Sequence, residues 1–429
     1  MPHANRSLIT PPAPSTAPAR ARRALAAVLA LLVPALLASC GDDHHCYQCG
    51  YYNNAPPVEV SYGVASADFT GAGFADVAEL STIQPFTAPD GSNIKLYRAT
   101  APGVYAMPTL IGAGTDPLYL VATDVNGDGL KDLVSASYDD GTISVFFNDK
   151  ASPGTFNPPL VLPSPGASQF AVADMNGDGL PDIVSADFGV SLFVQTSPGT
   201  FAAPIGLYAG GANWVAVGDL NGDGMPDIAL TDATGVKLLM HTGVASATTY
   251  AAPVSVFAQT PNANVSGANL IAIADVNGDT LNDLIITDPG PTGGMAPTVN
   301  VLAQDPANHG SFLAAVSYPI ATQDLPQSIV LADLEGSGQL DIVIGGQQTV
   351  TVLLHDPANP GKFLAATVYP APGANEIAVA DVNGDGKPDI VTSNGATQPV
   401  QNGVVTTHPG VLLQSTTTPG TFGALQDLP

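Results

Sequence analysis

Seven times between Asp68 and Asp389, at intervals of 45 to 58 residues, the chain repeats a nine-residue unit with oxygen-bearing side chains favoured at its first, third, fifth and ninth positions. Four copies are complete: DVNGDGLKD from Asp124, DMNGDGLPD from Asp174, DLNGDGMPD from Asp219 and DVNGDGKPD from Asp381. If the chain turns tightly between them, these oxygens converge on one point, and the glycines permit that turn by accepting positive φ. So dense a set of hard oxygen ligands suits Ca²⁺, with a main-chain carbonyl and water completing the shell. The complete copies nominate Asp124, Asn126, Asp128 and Asp132; Asp174, Asn176, Asp178 and Asp182; Asp219, Asn221, Asp223 and Asp227; and Asp381, Asn383, Asp385 and Asp389. By analogy with other calcium loops, the carbonyls come from Leu130, Leu180, Met225 and Lys387. A fifth copy offers Asp275, Asn277, Asp279, Leu281 and Asp283, with Thr280 where the others have glycine. Two copies are eroded. DLEGSGQLD offers Asp333, Glu335, Ser337 and Asp341, whereas DFTGAGFAD from Asp68 offers Thr70 and Ala72 and is expected to bind no metal.

Two other readings compete. An EF-hand would need a bidentate Glu at position twelve, which is Ser135, Ser185, Leu230 and Thr392 in the complete copies. The flanks, FAVAD before and DIVSAD after, are also strand-like rather than helical, so an EF-hand is excluded. Asn-Gly and Asp-Gly also make hairpin turns without metal. Against that reading, three carboxylates within nine residues repel one another unless a cation lies between them.

A fixed period of this length signals a repeat architecture, in which each unit buries its apolar face only by stacking on its neighbours. The sequence here resembles the FG-GAP or VCBS-type repeats that form the β-propeller of integrin α-subunit heads and of many bacterial surface proteins. The resemblance covers about residues 57 to 429. It implies an all-β fold, a seven-bladed β-propeller of four-stranded blades with the calcium loop joining the first and second strands of each blade. The Asp174 repeat fits that plan: QFAVAD is a first strand, DIVSAD a second, VSLFVQ a third, and a fourth follows SPGTF. Similar punctuation ends at Phe312, Phe363 and Phe422. A closed ring leaves only short, protected edges. Closure itself is not legible, since no donated outer strand stands out near PVEVSYG.

Residues 1–39 read as a signal peptide: Arg6, Arg20, Arg22 and Arg23 precede an apolar stretch from Ala24 to Leu37. The ending Leu-Ala-Ser-Cys resembles the bacterial lipobox. It implies lipidation of Cys40, attachment to a membrane through that lipid, and a place in the bacterial envelope, with the outer membrane or cell surface favoured by Gly41. Residues 40–56 form a tether. Within it, Cys46 and Cys49 follow His44 and His45, a spacing open to a local disulfide, an inert tether, thiol exchange or soft-metal binding. Residues 1–39 hold four arginines and no acid, so the remainder carries 7 Lys plus Arg against 37 Asp plus Glu, a net of −30. Twenty of those acids lie in the seven loops. Such a field excludes nucleic acid and anionic surfaces as partners.

Neither G-x-S-x-G, H-E-x-x-H nor a nucleotide loop occurs, and His241, His309 and His355 fall in turns leading to outer strands, where solvated positions are expected. The sequence therefore reads as a binding or adhesion module rather than an enzyme. The alternatives are a propeller-type carbohydrate-active enzyme, such as a polysaccharide lyase or hydrolase, or a structural partner in an envelope complex. A ligand face is expected opposite the calcium loops. There the first strands begin with divergent residues, among them Tyr119 and Trp214, whose flat rings could stack on a glycan or anchor a protein. Longer connections at 288–297 and 394–405 would flank that face.

Overall fold

The computed structural model describes residues 58–84, 92–243, 248–258, 270–290, 296–320, 324–394, 400–401, 404–405 and 408–428. The expected signal peptide of residues 1–39, Cys40, Cys46 and Cys49 lie outside the described residues, as do parts of both long connections. Each repeat folds into one sheet whose strands lie in sequence order from the axis outward. The seven sheets form a propeller. Blade 1 has first, second, third and outer strands Val58–Ala67, Asp76–Gln84, Asn93–Tyr97 and Thr109–Gly112. Blade 2 runs Pro117–Thr123, Asp132–Ser137, Thr142–Phe146 and Leu160–Pro163. Blades 3 to 7 follow the same plan, opening with Gln169–Ala173, Trp214–Gly218, Ile271–Ala274, Pro326–Ala332 and Ile377–Ala380. The nine-residue units join first to second strands in every blade, as the sequence predicts.

The second strands explain the apolar runs. Asp132–Ser137, Asp227–Asp232, Asp283–Asp288 and Asp341–Gly346 are buried along their whole length, because each lies inside its sheet and is covered on both faces by neighbouring blades. The cores accordingly lie between blades. Val134, Ala136, Ile143 and Val145 of blade 2 pack on Phe170, Ile183 and Phe193 of blade 3. Outer strands are edges and carry exposed apolar residues such as Leu110, Val161 and Val254.

Among the described residues, neither blade 1 nor blade 7 takes its outer strand from the other. Blade 1 packs directly on blade 7, with Val64, Val77, Tyr97 and Tyr105 against Val382, Val391, Val411 and Leu428. The Gly103 N–H donates to the Val382 carbonyl at 2.9 Å, and Tyr105 Oη reaches the same oxygen at 3.4 Å. Towards the opposite face, blade 1 holds an ionic cluster of its own. Lys95 Nζ lies 2.8 Å from Glu59 and 3.7 Å from Glu79, which also accepts a bond from Tyr97 Oη at 3.2 Å. A small hairpin of Val400–Gln401 and Val404–Val405 leaves blade 7 and pairs with Val58, adding to the inner edge of blade 1.

Candidate metal loops and the opposite face

In all seven loops the first aspartate is bonded to the loop's own main chain. One of its oxygens accepts the N–H of the sixth residue: Gly129 to Asp124 at 2.9 Å, Gly179 to Asp174 at 2.7 Å, Gly224 to Asp219 at 2.8 Å and Gly386 to Asp381 at 2.8 Å. Thr280 makes the same bond to Asp275 at 2.8 Å despite a φ of 73°, in the left-handed region that glycine occupies elsewhere. The eroded copies make it too, Gly338 to Asp333 and Gly73 to Asp68, both at 2.7 Å. Loop shape is thus independent of a full ligand set.

In the five fuller copies the third-position Asn accepts the N–H of the fifth residue at 2.8 to 2.9 Å. The fifth-position Asp accepts that of the seventh, namely Leu130, Leu180, Met225, Leu281 and Lys387, at 2.8 to 3.0 Å. These bonds fix the candidate ligand oxygens in place while using only part of their lone-pair capacity. The ninth aspartate is buried in every blade and bridges two strands. Asp132 accepts Val125 N–H at 2.9 Å and Asn148 N–H at 2.8 Å. Asp182 accepts Met175 and Gln195, Asp227 accepts Leu220 and His241, and Asp389 accepts Val382 and Gln414. Asp283, Asp341 and Asp76 do likewise. Burial pushes Asp182, Asp227, Asp283 and Asp389 up to about 6; the two N–H bonds oppose this, and the neighbouring loop acids add to it.

Residues 124–185, 174–230 and 333–392 match the FG-GAP-like repeat family. The chain carries FG-GAP-like repeats. No curated protein matches the sequence. Among solved structures, the fold is similar to that of a putative 6-phosphogluconolactonase from Bacteroides uniformis, at 13% identity over 72% of this chain and 85% of that one, TM-score 0.50. A lectin from Agrocybe aegerita, described for its recognition of non-reducing terminal N-acetylglucosamine, is 21% identical over 74% of this chain and 81% of its own, TM-score 0.49. The V. cholerae biofilm matrix protein Bap1 is 13% identical over 83% and 87%, TM-score 0.42. At these identities the likeness is one of fold.

Among the described residues, no group of three or more His, Cys, Asp or Glu side chains stands gathered as a metal site. The FG-GAP-like loops mix carboxylates with Asn and main-chain oxygens, a hard donor set. In every loop but that from Asp68, two further acids of the loop act on a buried ninth-position carboxylate to which no cationic side chain is bonded. That donor set and that uncompensated charge fit a Ca²⁺ ion.

Sequence reasoning missed a position just beyond the third strand. Asn148 Nδ2 donates to Phe69 O of blade 1 at 2.8 Å and to Lys131 O of its own loop at 3.0 Å. Gln195 spans Val125 O and Pro181 O, and Gln414 spans Leu334 O and Pro388 O. One side-chain amide therefore fastens two blades at the loops. A polar residue eight positions before the punctuating aromatic, as in Asn148 and Phe156, Gln304 and Phe312, His355 and Phe363, and Gln414 and Phe422, is the signal that could have found it. His241 and His355 occupy this same position, so the expectation of solvated peripheral histidines fails for them. They are 4% and 5% exposed, packed edge-on against Tyr250 and Phe363, because the punctuating segments fold back as small hairpins over the preceding loop. His309 is exposed, as expected.

On the opposite side, Tyr119 and Trp214 come together across non-adjacent blades, with ring centroids 5.6 Å apart in edge-to-face contact. Phe170 packs against Tyr119 at 5.3 Å. Trp214 is 6% exposed and its indole N–H donates to Ile271 O at 3.1 Å, whereas Tyr119 is half-buried. Both rings fill the axis.

Proposed function

We propose that residues 57–429 form a calcium-stabilised recognition module, held at the bacterial envelope by a lipid on Cys40, that binds a glycan or protein through the face opposite the loops. The observation supporting this is the contrast between the two faces. One is built from seven loops that share the bond from the sixth N–H to the first Asp, several of them also held by interblade amide bonds. The other carries connections that differ in length and composition from blade to blade. A rigid scaffold with variable loops on one face is the usual arrangement for recognition.

Calcium is held by Asp124, Asn126, Asp128 and Asp132 and their counterparts from Asp174, Asp219, Asp275 and Asp381, with Asp333, Glu335, Ser337 and Asp341 a weaker set. Its role is structural, since the loops lie where the next blade's hairpin packs: a Cβ on Gly361 would meet Asn277 at 2.7 Å. Tyr119 and Trp214 brace the recognition face from beneath. The test is a screen of the mature chain against glycans and envelope proteins in millimolar Ca²⁺ and in EGTA. Calcium-dependent binding supports the proposal; glycan turnover without stable binding would show the enzyme instead, and co-purification with an envelope complex without glycan affinity the structural partner.

A further inference from the structure

Resting on that recognition reading, we infer that the part of blade 3 on the face opposite the loops, between the connections that enter and leave that blade, is a subsite for a neutral pyranose, centred on Phe188. Phe188 is 63% exposed and is the one aromatic among the exposed large apolar side chains of the described residues. It lies in the connection between the second and third strands of its blade, Asp182–Ala186 and Val190–Phe193. Its underside is seated on Gly166, where a Cβ would come within 2.8 Å of the ring. The glycine thus leaves room for the ring, most of which stays open to solvent.

Polar groups flank that surface. Asp187 accepts Gly189 N–H at 2.7 Å and Ser164 Oγ–H at 3.3 Å, which hold the carboxylate in place and leave it lone pairs for a ligand hydroxyl. The 208–212 connection runs alongside, with Ala212 N–H donating to Asp187 O at 3.2 Å. From it Tyr208 Oη donates to Asp232 at 2.6 Å, and Asp232 is also bonded by Lys237 and Thr234. An apolar ring face beside fixed carboxylate and hydroxyl groups suits a sugar, whose C–H face stacks while its hydroxyls bond at the edge. The acids turn away sulfated or phosphorylated ligands. Asp232 is already paired with Lys237, which lessens the pull of this surface on a basic peptide.

The experiment is saturation-transfer NMR on the calcium-loaded mature chain with methyl β-glucoside, methyl N-acetyl-β-glucosaminide and methyl α-mannoside, and with a lysine-rich peptide as comparison. At least one glycoside should bind, its ring-proton signal falling at least fivefold in Phe188→Ala and falling in Asp187→Asn, with Met107→Ala, an exposed residue elsewhere, unchanged. Phe188 is exposed, so an unaltered melting curve will show that the variant is folded. A glycoside signal undiminished in Phe188→Ala overturns the subsite while leaving a recognition face elsewhere intact. Binding of the peptide alone also overturns it, and silence from every glycoside, glycan and envelope protein overturns both readings.

Discussion

Asp76 separates two tasks that the ninth aspartates of the fuller loops combine. Its loop has Thr70 and Ala72 in place of ligands, yet its carboxylate still accepts Phe69 N–H at 3.0 Å and Ala99 N–H at 2.7 Å. In Asp76→Asn the amide group must turn an N–H toward one of those donors, so one buried bond is lost. The variant should lose about 1–3 kcal/mol in urea unfolding, equally with and without calcium. In Asp389→Asn the loss should be larger in calcium than in EGTA. Asp232 supplies a pH test. Burial acts to raise its pKa, but the bonds from Lys237, Thr234 and Tyr208 prevail and bring it down to about 2. A folded value below the ordinary 3.8 means that its contribution is full above pH 4 and lost as pH falls through about 2. Asp232→Asn should therefore flatten the stability profile between pH 4 and 2 when followed by circular dichroism.

At the scale of the loop, shape and ligand set are written by different residues. The sixth position needs positive φ whatever the metal does, and Thr280 adopts it at a cost that glycine avoids. Thr280→Gly should raise stability by about 1 kcal/mol in thermal melts, part of the relief being offset by the freer unfolded chain. The nine-residue units, the first and second strands and the blade count were legible in the sequence because their signals are local: alternating apolar runs on either side of an Asn-Gly turn. The bracket made by the ninth aspartate was not, because its second partner lies 13 to 25 residues onward. That partner is Ala99, Asn148, Gln195, His241, Gln304, His355 or Gln414, and the only group they share there is a backbone N–H. The burial of His241 and His355 was hidden for the same reason, and the meeting of Tyr119 with Trp214 depends on ring geometry that no single repeat contains.

For the molecule as a whole, calcium should act as a shared stabiliser. A filled site contributes about 2.7 kcal/mol when the ion exceeds its Kd a hundredfold. With five loops filled, excess EGTA should lower the melting temperature on the order of 10 °C. An unchanged curve would remove the structural role. Blade 1 has a dependency of its own: Lys95→Met leaves buried Glu79 without its ammonium partner and should cost about 3–5 kcal/mol in denaturant unfolding. The interblade amides, finally, give the ring a direction in time. As the chain emerges from the N-terminus, blades 2, 3 and 7 bring donors that fasten them to the blade before, Asn148 to Phe69, Gln195 to Val125 and Gln414 to Leu334. Assembly can proceed in the order of synthesis, one repeat at a time. Blade 1 alone has to wait, since Gly103 and Tyr105 meet the Val382 carbonyl only after the last repeat has emerged. A message cut short before that repeat would yield an open arc with two bare apolar flanks, a product marked for aggregation or proteolysis by the same seam that completes the intact protein.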